Sequence, residues 1–463
     1  VRKASIIISF ILLVCCITSA AQSLFPWHRG QITDSVRCDA NKRFCYSLYL
    51  PENYNDKTKW PVLFVFDPGA RSHMAVQRFV PAAEKYGYIV VCSPNSRNGL
   101  AWNETADLTN CMFGDVMKKF STDASRIYTA GFSGGSRVAS ALAMMYKGIS
   151  GVIACGAGLA VNPSGGNLPA FDMIGLVGCN DMNYSEMCEL ERIMENAGKK
   201  LELRVFEGRH EWPDPKLLEG AVGWLDMQAV RKGTIKRGND FIELMVNHAF
   251  SAAKESLKSG DLVEAARRYK YIPKDFPDDP RTVKAIKTLD SLKLTKDYSR
   301  AVKKCNAVME RETSERDYLG TLLMNRVESG KANDSTSLRI SDRLGYFRRM
   351  EKDNDPYTRA MAYRVMSFMS LVCYERGSNF YSVGKYREAS ICFETGMLAE
   401  PDNMQMLIFQ AKACALDNNA SEALACLKKA VDKGFKDREL LMKDKAFAGL
   451  RNDGRFRRII ELL

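Results

Sequence analysis

Ile127-Tyr128-Thr129-Ala130-Gly131-Phe132-Ser133-Gly134-Gly135-Ser136-Arg137-Val138-Ala139 joins a short apolar run to an amphipathic one through a glycine-rich turn. Ile127–Ala130 has the composition of a buried strand, and Arg137–Tyr146 has the apolar spacing of a helix. Between them lies Gly131-Phe132-Ser133-Gly134-Gly135, a G-x-S-x-G sequence. A serine at the apex of a sharp strand-to-helix turn is strained, and side chains two residues before and after it would collide. Glycine at 131 and 135 answers that demand. The spacing alone recurs by chance, but with a strand before it and a helix after it the stretch reads as a nucleophile elbow. Ser133 is the candidate nucleophile.

A serine nucleophile needs a base, and the chain contains His28, His73, His210 and His248. His28 lies near the beginning and His248 in a helical stretch. His73 follows the strand pattern Val62–Phe66 and precedes the serine. His210 follows the last strand pattern, Leu201–Phe206, in the order serine, acid, histidine. The acid should follow the intervening strand pattern, Met173–Val177, where Asp181 stands. Its role would be to hold the imidazole tautomer and stabilise the imidazolium. Asp172 falls before that strand and Glu186 within the next helix, so both are poorly placed. An oxyanion hole needs two backbone N–H groups. Gly134 supplies one, and Ala70, in Asp67-Pro68-Gly69-Ala70-Arg71 after Val62–Phe66, is expected to supply the other. Arg97 and Trp102, in the loop after the strand pattern Tyr88–Cys92, are candidate substrate contacts. No cofactor or metal signature accompanies this set, and no C-x-x-C occurs.

Strand patterns alternate with helical ones through the first half: Phe44–Leu50, Val62–Phe66, Tyr88–Cys92, Ile127–Ala130, Gly151–Cys155, Met173–Val177 and Leu201–Phe206. Val76–Tyr86, Leu108–Phe120, Arg137–Tyr146 and Ser185–Ala197 are the helical stretches among them. Such alternation predicts an α/β domain with a mostly parallel sheet covered on both faces. Beyond about residue 240 the strand signal ends and a 34-residue period appears. Gly377, Phe380, Gly384, Tyr386, Ala389, Phe393 and Pro401 mark one unit, and Ala411, Cys414, Ala423 and Ala430 continue it. Gly260, Leu262, Ala265, Tyr269 and Pro277 mark another, while Pro280–Ser370 is helical and charged but out of register. The expected division is a leader at 1–21, an α/β domain at 22–235 and an all-α repeat domain at 236–463.

With 463 residues, 46% apolar and 26% charged, the chain has the composition of a folded multidomain protein. No run of 18 apolar residues occurs, so no membrane-spanning helix is expected. Arg2 and Lys3, the apolar Ile6–Ile17 and the small Ser19, Ala20 and Ala21 form an export signal. Val14 stands before Cys15 where lipid modification requires a small residue, so a lipid anchor is the weaker alternative to periplasmic or extracellular release. Residues 22–235 carry a net +1 and residues 236–463 a net +9, which marks the second half as a candidate interaction surface. No nucleic-acid motif accompanies that charge. Twelve cysteines follow the leader. Cys38 with Cys45, and Cys92 with Cys111, are candidate pairs, while most of the remainder read as packing residues.

Together the Asp67-Pro68-Gly69 loop, Gly131–Gly135 with Arg137, the Gly178…Asp181 turn and Gly208…His210…Trp212-Pro213 resemble an α/β-hydrolase. They are most similar to exported esterases related to polyhydroxyalkanoate depolymerases and feruloyl esterases. The resemblance spans most of residues 40–228 and implies ester or thioester hydrolysis through an acyl-enzyme. The short spacing from Ser133 to Asp181 leaves no room for a large lid, so an open site and a polymeric or carbohydrate-linked ester are expected. It departs at Asp67-Pro68-Gly69, where such enzymes commonly carry His-Gly. The second half resembles tetratricopeptide repeats, which implies a polypeptide partner. A serine peptidase on the same fold, or a non-catalytic scaffold with a vestigial triad, are the alternative readings. Because every candidate catalytic group precedes residue 235, the first domain is expected to turn over a small ester without the repeats.

Overall fold

The computed structural model describes residues 27–160, 168–330 and 335–463. The proposed leader lies outside them. Eight strands form one sheet: β1 (Ile32–Arg37), β2 (Cys45–Tyr49), β3 (Trp60–Phe66), β4 (Ile89–Cys92), β5 (Thr122–Phe132), β6 (Ile149–Cys155), β7 (Asp172–Gly178) and β8 (Leu201–Phe206). Their order is β1-β2-β4-β3-β5-β6-β7-β8. Only the β1–β2 and β2–β4 pairings are antiparallel. This is the α/β-hydrolase sheet.

The central strands are buried on both faces: all seven residues of β3 and all seven of β7 are buried. Helices must therefore cover both sides. α1 (Ser72–Tyr86) and α5 (Pro215–Arg231) pack on one face, with Phe79, Leu218 and Trp224 against Val65, Ile153 and Leu176. α2 (Trp102–Lys119), α3 (Gly134–Met145) and α4 (Tyr184–Asn196) pack on the other, with Met112, Leu142 and Met187 against Phe64, Val152 and Met173. β1 has no counterpart in the sequence expectation. It is a polar, half-exposed edge strand, Ile-Thr-Asp-Ser-Val-Arg, without the apolar alternation that marks a strand.

Neither cysteine pair forms; all twelve described cysteines are free thiols. Cys45 lies opposite Arg37, while the Cys38 N–H donates to the Phe44 carbonyl at 3.0 Å. Neighbouring residues of a strand face opposite ways, so Cys38 enters the core beside Tyr46 and Leu48 while Cys45 faces away from it. Burial pushes the Cys38 thiol up to about 12. Cys92 and Cys111 likewise belong to cores on opposite faces of the sheet.

Beyond α5 the described chain is helical: α6 (Asn239–Lys258), α7 (Leu262–Asp275), α8 (Thr282–Lys293), α9 (Lys296–Ser329), α10 (Ser335–Met350), α11 (Pro356–Ser382), α12 (Tyr386–Ala399), α13 (Met404–Leu416), α14 (Ala420–Asp432), α15 (Arg438–Lys443) and α16 (Gly454–Glu461). Small residues let these helices approach. A Cβ at Gly377 would lie 2.6 Å from the Phe393 ring, and one at Gly396 would lie 2.9 Å from Cys373 Cβ. The out-of-register stretch holds α9, with 34 residues, and the first part of α11, with 27, against 14 and 13 for α12 and α13.

The helical region packs against the sheet at its β8 edge. The Leu203 and Val205 N–H groups point away from β7 and donate to Tyr271 Oη (3.3 Å) and Glu264 Oε1 (3.4 Å) of α7. Arg268 of α7 donates to the Val205 carbonyl at 3.2 Å. Trp224 Nε1 of α5 donates to Asp275 Oδ2 at 3.0 Å. A cavity of about 350 Å³ lies beside this seam, lined by Leu203, Phe206, Met245 and Ile272 with Glu202 at its wall.

Candidate active site

β5 runs straight into α3 with Ser133 alone between them. Ser133 has φ 52° and ψ −122°, a backbone conformation that costs a non-glycine residue ~1–3 kcal/mol. Its N–H donates to the Cys155 carbonyl of β6 at 2.8 Å. Both flanking glycines are sterically required. A Cβ at Gly131 would stand 2.2 Å from the Gly135 carbonyl oxygen, and one at Gly135 would stand 2.1 Å from the Phe66 carbonyl oxygen. At Gly134 a Cβ would strike the Asn98 side-chain amide.

The three candidate catalytic residues meet. His210, in the loop after β8, places Nε2 2.9 Å from Ser133 Oγ and Nδ1 2.9 Å from Asp181 Oδ1. Asp181 is 1% exposed, and its Oδ1 also accepts the Asn183 N–H at 2.8 Å. Oδ2 is buried with no hydrogen-bond partner. Phe132 covers one side of the imidazole, its ring centroid 4.7 Å from that of His210. The acid and histidine loops are tied together by backbone bonds from Cys179 N–H to Phe206 O (2.8 Å) and Asn180 N–H to Gly208 O (3.0 Å). The competitor His73 lies apart, exposed and bonded to Asp34 at 2.7 Å. Neither Asp172, at the start of β7, nor Glu186, paired with Arg137, approaches the imidazole in this way.

The loop after β3 is organised by Asp67. Its Oδ1 accepts the Gly69 and Arg71 N–H groups at 2.8 and 3.1 Å, and its Oδ2 accepts Trp212 Nε1 at 2.8 Å. Burial would raise its carboxyl, but these bonds and the Arg71 guanidinium outweigh that and hold it below the usual carboxylate range. Asp67 thus joins the candidate oxyanion loop to the histidine loop. Ala70 has φ 61°, and its N–H closes a turn on the Asp67 carbonyl at 3.3 Å. Gly134 is the first residue of α3, where a helix leaves its N–H groups without intrahelical partners.

Arg97 and Trp102 are both exposed. Trp102 is the first residue of α2, not a loop residue as expected. The Arg97 backbone bridges Gly69, and the Asn98 N–H donates to the Pro68 carbonyl at 2.9 Å. It is Asn98 that reaches the elbow. An Asx-type turn at Asp67-Pro68-Gly69 is a readable local signal, whereas nothing in the sequence singles out Asn98. Among the described residues, no group of three or more His, Cys, Asp or Glu side chains is arranged to hold a metal ion, and no helix is long and apolar enough to cross a membrane.

No protein-family model and no curated protein matches the chain. Solved structures similar to it include an S-formylglutathione hydrolase of Staphylococcus aureus, at 13% identity and TM-score 0.36, covering 44% of this chain and 99% of that one. A ferulic acid esterase matches at 18% identity and TM-score 0.35, covering 42% and 96%. An esterase of the archaeon Pyrobaculum calidifontis matches at 14% identity and TM-score 0.36, covering 44% and 87%.

Proposed function

We propose that the chain is an exported serine hydrolase that cleaves carboxylic esters through Ser133, His210 and Asp181. What carries this reading is the continuous line from Asp181 Oδ1 through both imidazole nitrogens to Ser133 Oγ, 2.9 Å at each step. His210 Nε2 takes the Ser133 proton as Oγ attacks the acyl carbon. Nδ1–H donates to Asp181, which stabilises the imidazolium. The imidazolium then protonates the leaving alcohol, and a water activated by the same nitrogen releases the acid from the acyl-enzyme. The Gly134 N–H, at the start of α3, is assigned as the first oxyanion donor. Ala70 is assigned as the second donor, and to serve its N–H must leave the 3.3 Å bond it makes to the Asp67 carbonyl.

Only 48 residues separate Ser133 from Asp181, and β6 and β7 occupy part of them, which favours an open site and a polymeric or carbohydrate-linked ester. The helical hairpins and the net +9 of residues 236–463 suit a polypeptide partner. Export is compatible with the free thiols, since eight of the twelve are buried. A fluorophosphonate probe should label wild type and not Ser133→Ala. A panel of chromogenic short-acyl esters beside aminoacyl amides should show ester turnover; amide turnover alone would make it a peptidase, and neither, with no labelling, a scaffold.

A further inference from the structure

The acid loop is gripped from outside the sheet. Its N–H groups at Cys179 and Asn180 point inward, to the Phe206 and Gly208 carbonyls. Two of its carbonyls point outward, and both meet guanidinium groups of the helical region. Arg364 of α11 donates Nη1 to the Cys179 carbonyl at 2.8 Å, and Arg316 of α9 donates Nη2 to the Met182 carbonyl at 2.6 Å. Those carbonyls lie two residues before Asp181 and one residue after it.

One buried carboxylate fixes both arginines. Glu312, 1% exposed, accepts Arg364 Nε at 2.7 Å on Oε2 and bonds Arg316 through Oε1. Charge-assisted bonds of this kind fix geometry more firmly than neutral ones, and loss of Glu312 would leave both arginines without a carboxylate. Aromatic contacts complete the grip. Arg364 lies over the Tyr184 ring at 4.7 Å, at the start of α4, and Arg316 over Phe368 of α11 at 4.7 Å. The next residue up α11, Tyr363, takes the guanidinium of Arg209 over its ring at 4.5 Å. Arg209 immediately precedes His210. A single helix of the second region therefore touches both the acid loop and the histidine loop.

We infer that the helical region is part of the catalytic apparatus: Arg364, seated by Glu312 beside Arg316, is a positioning residue that holds the Cys179–Met182 loop so that Asp181 meets His210. Turnover then depends on how α9 and α11 sit on the sheet, and anything that binds the helices and shifts them acts on the triad. This replaces the expectation that the first 235 residues suffice. The inference rests on the triad reading for its kinetic effect, but the geometry it asserts has a readout of its own.

The test is a double-mutant cycle in the full-length protein. Arg364→Met leaves Glu312 paired with Arg316, so the cluster keeps its counter-charge. It should lower kcat about tenfold or more with KM changed by less than about threefold, because the lost interaction acts on the reacting groups and not on substrate binding. In an Asp181→Asn background the same change should lower kcat by less than about twofold, since a residue acting only through Asp181 has nothing left to position. Arg364→Lys keeps the charge but cannot reach Glu312 and Cys179 together, and should fall between. Should Arg364→Met fail to fold by circular dichroism, Arg364→Lys carries the same cycle. The downfield proton-NMR signal of the His210–Asp181 hydrogen bond should be present in wild type and lost or broadened in Arg364→Met. Equal losses of kcat in both backgrounds, or an unchanged signal with unchanged kcat, would overturn the inference. A wild type that neither labels nor turns over esters, yet loses the downfield signal on substitution, would sink the hydrolase reading and leave the positioning intact.

Discussion

Ser133 and Asp181 are presented to one imidazole by two differently held pieces of chain. The elbow is secured from within, by glycines whose missing side chains let Gly135 approach Gly131 and Phe66, and by a bond from Ser133 to the neighbouring strand. The acid loop is secured from a distance, by arginines 185 and 134 residues away along the chain. The difference separates two kinds of constraint. One is steric, local and intolerant of any side chain; the other is electrostatic, long-range and open to modulation.

The largest expected effect removes the chemistry and leaves both supports. Ser133→Ala should lower kcat by ~10³–10⁶-fold and abolish phosphonate labelling, with an unchanged circular dichroism spectrum. Next comes the steric support. Gly131→Ala forces a backbone atom to move and should destabilise by about 3 kcal/mol or more in urea titrations, or prevent folding outright. Gly377→Ala in the helical region meets the Phe393 ring instead and regains helix propensity of about 1 kcal/mol, so its net cost should stay below about 2 kcal/mol. A reversed order would show that the helical packing is the more rigid of the two.

Smaller still is the strain at the apex. Ser133→Gly and Ser133→Ala both lack the hydroxyl, but only glycine relaxes φ 52°, so the glycine variant should be the more stable by about 1 kcal/mol in thermal melts. The smallest effect lies at the seam. Burial raises the Glu202 carboxyl well above its usual range, with Asp275 adding to this and Arg204 opposing it. An acid raised in the folded state contributes its stability in full below the unfolded-state value near ~4.3 and loses it progressively above that. Glu202→Gln should therefore raise Tm more at pH 8 than at pH 5. An equal change at both would mean that Glu202 is ionised in the fold.

Much of the site was legible because its requirements are local. Ser133, Gly134 and the flanking glycines lie within five consecutive residues, Asp181 follows the largely apolar β7, and His210 follows β8, where apolar and charged residues alternate at first. β1 was not legible, because an edge strand with one buried side has little reason to be apolar. The cysteine pairs misled because proximity in sequence does not show which face of a sheet a thiol occupies. Asn98, Arg316 and Arg364 were invisible for a different reason. An arginine on a long charged helix looks like a solvated one until the fold supplies the carbonyl it meets.

The way α7 meets β8 carries a consequence for taking the two regions apart. Tyr271, Glu264 and Arg268 satisfy backbone groups of Leu203 and Val205 that no further strand covers. Cut after residue 235, the sheet would present those groups to solvent as an open template for another strand. The fragment would then be prone to join β8 to β8 across two copies, and the helices that follow serve, among other things, to cap that edge.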